Sequence, residues 1–145
     1  MKHKLPRAFL IVICSLMLIP SVSSEGLVIV VNSGNSATAI SKQDCKNIFL
    51  GKKTTWSNGA SIIFVEPKAN SELKKGFNTE YLGMSVAEVQ KYWVRETVRG
   101  NLPLPQVVGS SDEIIAYISN NRDAIGYLDK ADVPSTGKVK VISAN

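Results

Sequence analysis

The sequence predicts an α/β layered domain, and three observations carry that expectation. Apolar, β-branched runs recur at Leu27–Val31, Ser61–Val65 and Ala124–Leu128, the pattern of strands buried on both faces. Between them lie stretches with apolar residues at helical spacing, most of them opened by a serine with an acidic residue three positions later, the signature of a helix N-terminus. Glycines and an Asn-Gly pair punctuate the boundaries, where a chain must turn. Strands alternating with helices argue for one sheet flanked by helices.

Taken in order, Leu27–Val31 (LVIVV) is the first strand, and Asn32–Ala39 is a small, polar loop containing Gly34. Ser41-Lys42-Gln43-Asp44 opens a short helix that carries Cys45, Ile48 and Phe49 on one side. Gly51 suits the left-handed position that ends such a helix, and Lys52 and Lys53 suit its negative C-terminal dipole. Ser57-Asn58-Gly59 is a turn, with Trp56 as apolar anchor, and Ser61–Val65 (SIIFV) is the second strand, ended by Pro67. Asn70 is placed to cap the next helix, with Glu72 in its first turn and Leu73, Phe77 and Tyr81 at helical spacing before Gly83. Ser85 and Glu88 open a helix through about Val98, with Val86, Val89, Tyr92 and Trp93 on its inner face. After the loop Gly100–Pro105, Gln106–Val108 reads as a short strand. Ser110 and Glu113 open a helix with Ile114, Ile115, Tyr117 and Ile118, Asn120–Asp123 turns the chain, and Ala124–Leu128 (AIGYL) is a strand. Lys138–Ser143 alternates polar and apolar residues, as a half-buried or edge strand does.

The first 24 of the 145 residues read differently. Lys2, Lys4 and Arg7 precede the apolar run Ala8–Ile19, followed by Pro20 and the small residues Ser21–Ser24. A basic end, a short apolar core and small residues form a secretory signal peptide. The run falls short of the ~20 apolar residues that span a bilayer. Val22 and Ser24 suit the positions before a cut, so residues 1–24 are expected to leave and residues 25–145 to form one exported domain in a periplasm or outside the cell. The segment carries three of the 17 Lys+Arg and none of the 12 Asp+Glu, so the net charge falls from +5 to +2 on cleavage. No basic block interleaved with aromatics remains, which removes the main support for nucleic-acid binding.

His3 and Cys14 depart with the same segment, leaving no histidine and Cys45 alone. A Ser-His or Cys-His nucleophile cannot then be built, nor a His/Cys zinc site, nor an internal disulfide. Cys45 falls on the apolar side with Ile48 and Phe49 and reads as a small buried thiol. Glu66, Glu72 and Asp112 show no spacing that converges on one site, and no calcium-loop pattern occurs. The sequence therefore assigns no catalytic residue, no metal and no cofactor.

The order of motifs resembles a known family. IFLGKKTTWSNG (Ile48–Gly59), the capped helix that follows, YLGMSVAEVQKYW (Tyr81–Trp93) and SSDEIIAYISNNRDAIGYL (Ser110–Leu128) are similar to the phosphate-binding proteins of ABC importers. They are closer still to the short, single-lobe PBP-like relatives of those proteins. The resemblance covers most of Leu27–Leu128 and rests on the IFxGKxxxW element together with Asp123–Tyr127. It implies one lobe of a periplasmic-binding-protein fold of type II, a mixed sheet flanked by helices. It also implies delivery of inorganic phosphate, or a similar oxyanion, to an ABC permease without catalysis.

In the family, phosphate is held by backbone N–H groups and hydroxyls at helix N-termini, where unpaired donors and a positive partial charge meet an oxyanion. Carried over by position, the helix start falls on Asn70 and Ser71. Lys68 stands where the family has an arginine, and a lysine is a point charge rather than a two-pronged fork. Glu66 is expected to place an opposing charge near the site. The family's first binding loop corresponds to Asn32-Ser33-Gly34-Asn35-Ser36, and Ser110 and Ser111 open a further helix. The expected ligand residues are Asn32, Ser33, Gly34, Lys68, Asn70, Ser71, Ser110 and Ser111. A two-lobed receptor needs roughly two ordinary domains, and this chain supplies one. That leaves open binding on an exposed half-site, pairing with a second chain as a homodimer, or a module that keeps the fold and serves a sensor, porin or other envelope protein.

Overall fold

The computed structural model describes residues 26–100 and 104–145. The expected signal peptide, and Asn101–Pro103 of the expected loop, lie outside the described residues. The strands are β1 (Leu27–Asn32), β2 (Ala39–Ile40), β3 (Ile63–Pro67), β4 (Gln106–Val108), β5 (Ala124–Asp129) and β6 (Val139–Ala144). The helices are α1 (Lys42–Phe49), α2 (Glu72–Phe77), α3 (Val86–Val98) and α4 (Ser111–Asn120). A π-helical turn, Asn78–Leu82, prolongs α2, and a 3-10 turn, Lys130–Asp132, follows β5.

One mixed sheet forms in the order β2-β6-β1-β5-β3-β4. β1 runs antiparallel to both its neighbours, with Val30 opposite Gly126 on β5 and Val141 on β6. The other pairings are parallel: β2 with β6, and β3 with both β5 and β4. The carboxyl ends of β3, β4 and β5 therefore share one end of the sheet with the start of β1.

Side-chain alternation along β1 and β5 feeds two cores. Ile29, Val31, Ile125 and Tyr127 point to the layer made by α1, α2 and α3, where Cys45, Ile48, Phe49, Phe77, Leu82, Val89 and Trp93 are buried. The rings of Phe77 and Tyr127 stack at 3.9 Å, and Phe49 meets them edge-on at 4.7 and 5.5 Å. Val30, Val65, Ala124 and Leu128 point to the other layer, covered by Ile114 and Ile118 of α4. Gly126 lets that helix approach, because a Cβ there would stand 3.0 Å from both Ile118 Cδ1 and Val65 Cγ1.

Several expectations shift by local chemistry. β3 begins at Ile63, two residues later than the apolar run, because Ser61 bridges to Thr55 and the Ile62 amide bonds the Thr54 carbonyl at 2.8 Å. β3 then continues through Glu66 and Pro67, which face Val107 and Val108 of β4. Ser71, not Asn70, caps α2: the Ser71 amide bonds the Lys68 carbonyl at 3.0 Å, which closes a turn with Asn70 inside it. Among the described residues only Ser85 and Glu88 form the reciprocal capping box. Glu113 reaches one residue further, to the Gly109 amide at 3.0 Å, and Asp44, a methylene shorter than glutamate, pairs with Lys53 at 2.7 Å. β2 went unforeseen because two residues carry no period, and its pairing places β6 one strand in from the edge.

Candidate functional site

Parallel strands followed by helices create a crevice beyond their carboxyl ends, where α/β sheets take ligands. Here the chain leaves β3 into α2, β4 into α4 and β5 into the 3-10 turn. The resulting cleft has a volume of about 1160 Å³. Its floor includes Leu27, Pro67 and Ile114, and the N-termini of α2 and α4 stand on its walls.

Five of the expected ligand residues meet there: Lys68, Asn70, Ser71, Ser110 and Ser111. The serine hydroxyls are already engaged. Ser71 Oγ accepts from the Lys74 amide at 3.4 Å, and Ser110 Oγ from the Glu113 amide at 3.2 Å. Ser111 Oγ donates to Asp132 Oδ2 at 2.8 Å. The caps therefore orient their helices, leaving the first amides of α2 (Glu72, Leu73) and of α4 (Ser111, Asp112) without partners inside the helix.

Asn32, Ser33 and Gly34 do not join them. They follow the far end of β1, whose six residues span roughly 20 Å. Their polar groups close off the C-terminal end of α4 instead. Asn32 Nδ2 donates to the Ile118 and Ser119 carbonyls at 2.8 and 3.0 Å, while Asn32 Oδ1 accepts from the Gly34 amide at 2.8 Å. The Ser33 amide bonds the Lys138 carbonyl at 3.1 Å, and Arg122 Nε donates to the Gly34 carbonyl at 3.2 Å.

The charge lining the cleft could not be read from spacing. Glu72, Glu80, Asp129 and Asp132 face two amines, Lys68 and Lys75. Lys75 is held by Glu72 at 2.7 Å. Lys68 lies over Gly109 beside Glu113: a Cβ on Gly109 would stand 3.7 Å from the ammonium and 3.5 Å from the carboxylate. Asp129 accepts from the Ala131 amide at 2.9 Å, capping the 3-10 turn, and thereby sits at the cleft with Gly26. These acids come from four different places, the first turn of α2 (Glu72), the π-helical turn (Glu80), the end of β5 (Asp129) and the 3-10 turn (Asp132), and share no local pattern. Among the described residues no group of three or more metal-ligating side chains is placed to hold an ion.

Glu66 corrects an expectation. It does not line the cleft; its side chain is buried on the α3 side of the sheet, where it accepts from the Lys74 ammonium. Burial pushes its carboxyl above the ordinary range while Lys74 opposes the shift. The pair is neutral overall and sets no anionic charge before the cleft. Cys45 is fully buried, and burial pushes its thiol up to about 12, so it stays protonated and inert.

The fold agrees with that of known proteins. An ABC-type phosphate transport receptor from Vibrio cholerae is 22% identical, with a TM-score of 0.55 over 81% of this chain and 45% of its own. A candidate phosphate ABC transporter substrate-binding protein from Clostridium perfringens, crystallised with bound phosphate, is 20% identical, with a TM-score of 0.63 over 82% of this chain and 44% of its own. PstS from Borrelia burgdorferi is 17% identical, with a TM-score of 0.63 over 83% of this chain and 47% of its own. The chain thus spans less than half the length of these structures. No curated protein matches it. Among the described residues no helix is long and apolar enough to cross a membrane. The family described as PBP superfamily domain matches residues 21–142, and the chain belongs to that family.

Proposed function

We propose that this protein is an exported solute-binding domain that takes a small oxyanion, phosphate first, in the cleft between α2 and α4, and binds it without chemical conversion. The observation that carries the reading is the convergence of two serine-capped helix N-termini on one crevice at the carboxyl ends of β3, β4 and β5. Unpaired amides and the positive ends of two helix dipoles favour an anion there. The phosphate receptors that share the fold support the choice of ligand. Lys68, Asn70, Ser71, Ser110 and Ser111 are the contact residues of this reading, and an ABC permease in the envelope is its partner. Asn32, Ser33 and Gly34 belong to the α4 end and are left out.

Four carboxylates against two amines weaken the site for a dianion. Affinity is therefore expected to be modest, and removal of one negative charge to improve it. The test is calorimetric titration of the exported protein with inorganic phosphate, with thermal unfolding alongside. Binding should be saturable at one to one. Phosphate at ten times Kd should add about 1.4 kcal/mol, raising the melting temperature by roughly 3–8 °C for a domain of this size. Ser71→Ala should weaken binding and Glu72→Gln should tighten it. A melting temperature unmoved by millimolar phosphate would overturn the proposal, and intact affinity in Ser71→Ala would move the site elsewhere.

The same excess of acids favours a second reading, a module that keeps the fold and docks on a sensor or envelope protein without carrying solute. Under that reading phosphate gives no heat, and pull-down of a stoichiometric envelope partner is unaffected by phosphate.

A further inference from the structure

At the opposite edge of the sheet from β2, the last strand is β4, which pairs with β3 and, among the described residues, with nothing on its other side. Beside that edge runs an apolar groove of about 680 Å³ between α3 and β4. Six large apolar side chains are exposed among the described residues, and four of them, Val94, Val98, Leu104 and Val107, line this one groove. Val98 is 83% exposed and Leu104 69%. A concentration of this kind on one face marks a surface that is covered in use, and an open strand edge supplies unpaired N–H and C=O groups in the same place.

We propose that this edge is the homodimer interface of the protein, with β4 pairing antiparallel to β4 of a second copy and the two α3 helices packing side by side above the junction. The occupant follows from the two layers that need cover. An extended peptide added to β4 would satisfy the strand edge but would leave Val94 and Val98 on the helix layer in water. A covering partner must present a strand level with β4 and a helix level with α3, and this chain carries that pair in that arrangement.

A two-fold axis normal to the sheet preserves which face each helix occupies, so identical patches meet and the assembly closes on itself. Area points the same way. A three-residue edge is about 10 Å long and cannot alone supply the ~800 Å² per partner of a stable interface. The 13-residue α3, about 20 Å long, lies beside the groove and adds contact along its own length in this arrangement. This inference does not depend on the cleft, which opens at the strand ends rather than at the sheet edge.

The experiment is sedimentation velocity on the chain expressed in full and recovered after export, across a concentration series. A reversible monomer–dimer equilibrium is expected. Val98→Glu and Val107→Lys, each at an exposed position, should raise its dissociation constant at least about tenfold, with far-UV circular dichroism and melting temperature measured to show that the fold is kept. A chain that stays monomeric to millimolar concentration overturns the proposal. So does a dimer insensitive to both substitutions, or a monomer whose groove is filled by co-purifying lipid or peptide.

Discussion

At the residue scale, the sharpest energetic feature is the Glu66–Lys74 pair. Both side chains are nearly out of water, and among the described residues Glu66 Oε1 is buried without a hydrogen-bond partner, as is the hydroxyl of Tyr127. Burying two charges costs several kcal/mol each, and their attraction offsets that only while both are present. Lys74→Met should therefore destabilise the protein by about 3–5 kcal/mol near neutral pH. A Glu66→Leu/Lys74→Met double variant should recover most of the loss. The pH dependence has a definite sign. The folded-state pKa of Glu66 lies above its ordinary 4.5, chiefly through burial, so the native state holds the proton more tightly than the unfolded chain. The stability contributed is full below 4.5 and is lost as pH rises through the folded value. Removing Lys74 raises that pKa further, so Lys74→Met should lose more stability between acid and neutral pH than wild type does. Urea unfolding at both ends of that range measures it, and equal losses in the two proteins would refute the account.

At the element scale, β5 is the strand on which both layers depend. Its burial is continuous from Ala124 to Leu128, and Gly126 marks where α4 comes closest. Gly126→Ala would put a methyl group 3.0 Å from Ile118 Cδ1 and Val65 Cγ1 and 3.3 Å from the Val65 carbonyl. Overpacking of this kind costs typically 1–3 kcal/mol, and chemical denaturation should show a loss in that range. A neutral result would mean that α4 is free to move outward. Three helix starts were readable because a cap is a local event: Ser41, Ser85 and Ser110 each bond an amide three residues on, as Ser71 does at α2, where Asn70 was expected. Where an acid went elsewhere, its partner still lay close in the chain: Asp44 pairs with Lys53, in the loop after its own helix, and Glu113 bonds the Gly109 amide.

At the scale of the whole molecule, β1 and β5 each contribute side chains to both cores, so neither layer can lose its packing alone. Unfolding is expected to be a single cooperative transition. Fluorescence of Trp56 and Trp93, both in the α1–α3 layer, should give the same midpoint as far-UV circular dichroism, which also sees α4. Separate midpoints would show that the layers unfold independently. The same architecture decides where function can sit. Because every strand but β1 runs one way, the loops after β3, β4 and β5 crowd one end of the sheet, and the two helix starts that follow meet there.

The sequence by itself determined most of the elements, their order and most of their caps. These rest on contacts between residues three or four apart in a helix, or two apart in a strand, and such contacts are written locally. Thus Gln106–Val108 and the helix from Ser85 to Val98 stand where the pattern placed them. The tertiary structure alone decided which of those elements meet. Asn32–Gly34 and Ser71 look alike as polar starts and loops, yet the reversed direction of β1 puts the first against the C-terminal end of α4 and the second in the cleft. The acids of the cleft, the withdrawal of Glu66 to Lys74 and the open edge at β4 depend likewise on strand order and direction. Those are set by pairings between residues far apart in the chain, where no local period reports them.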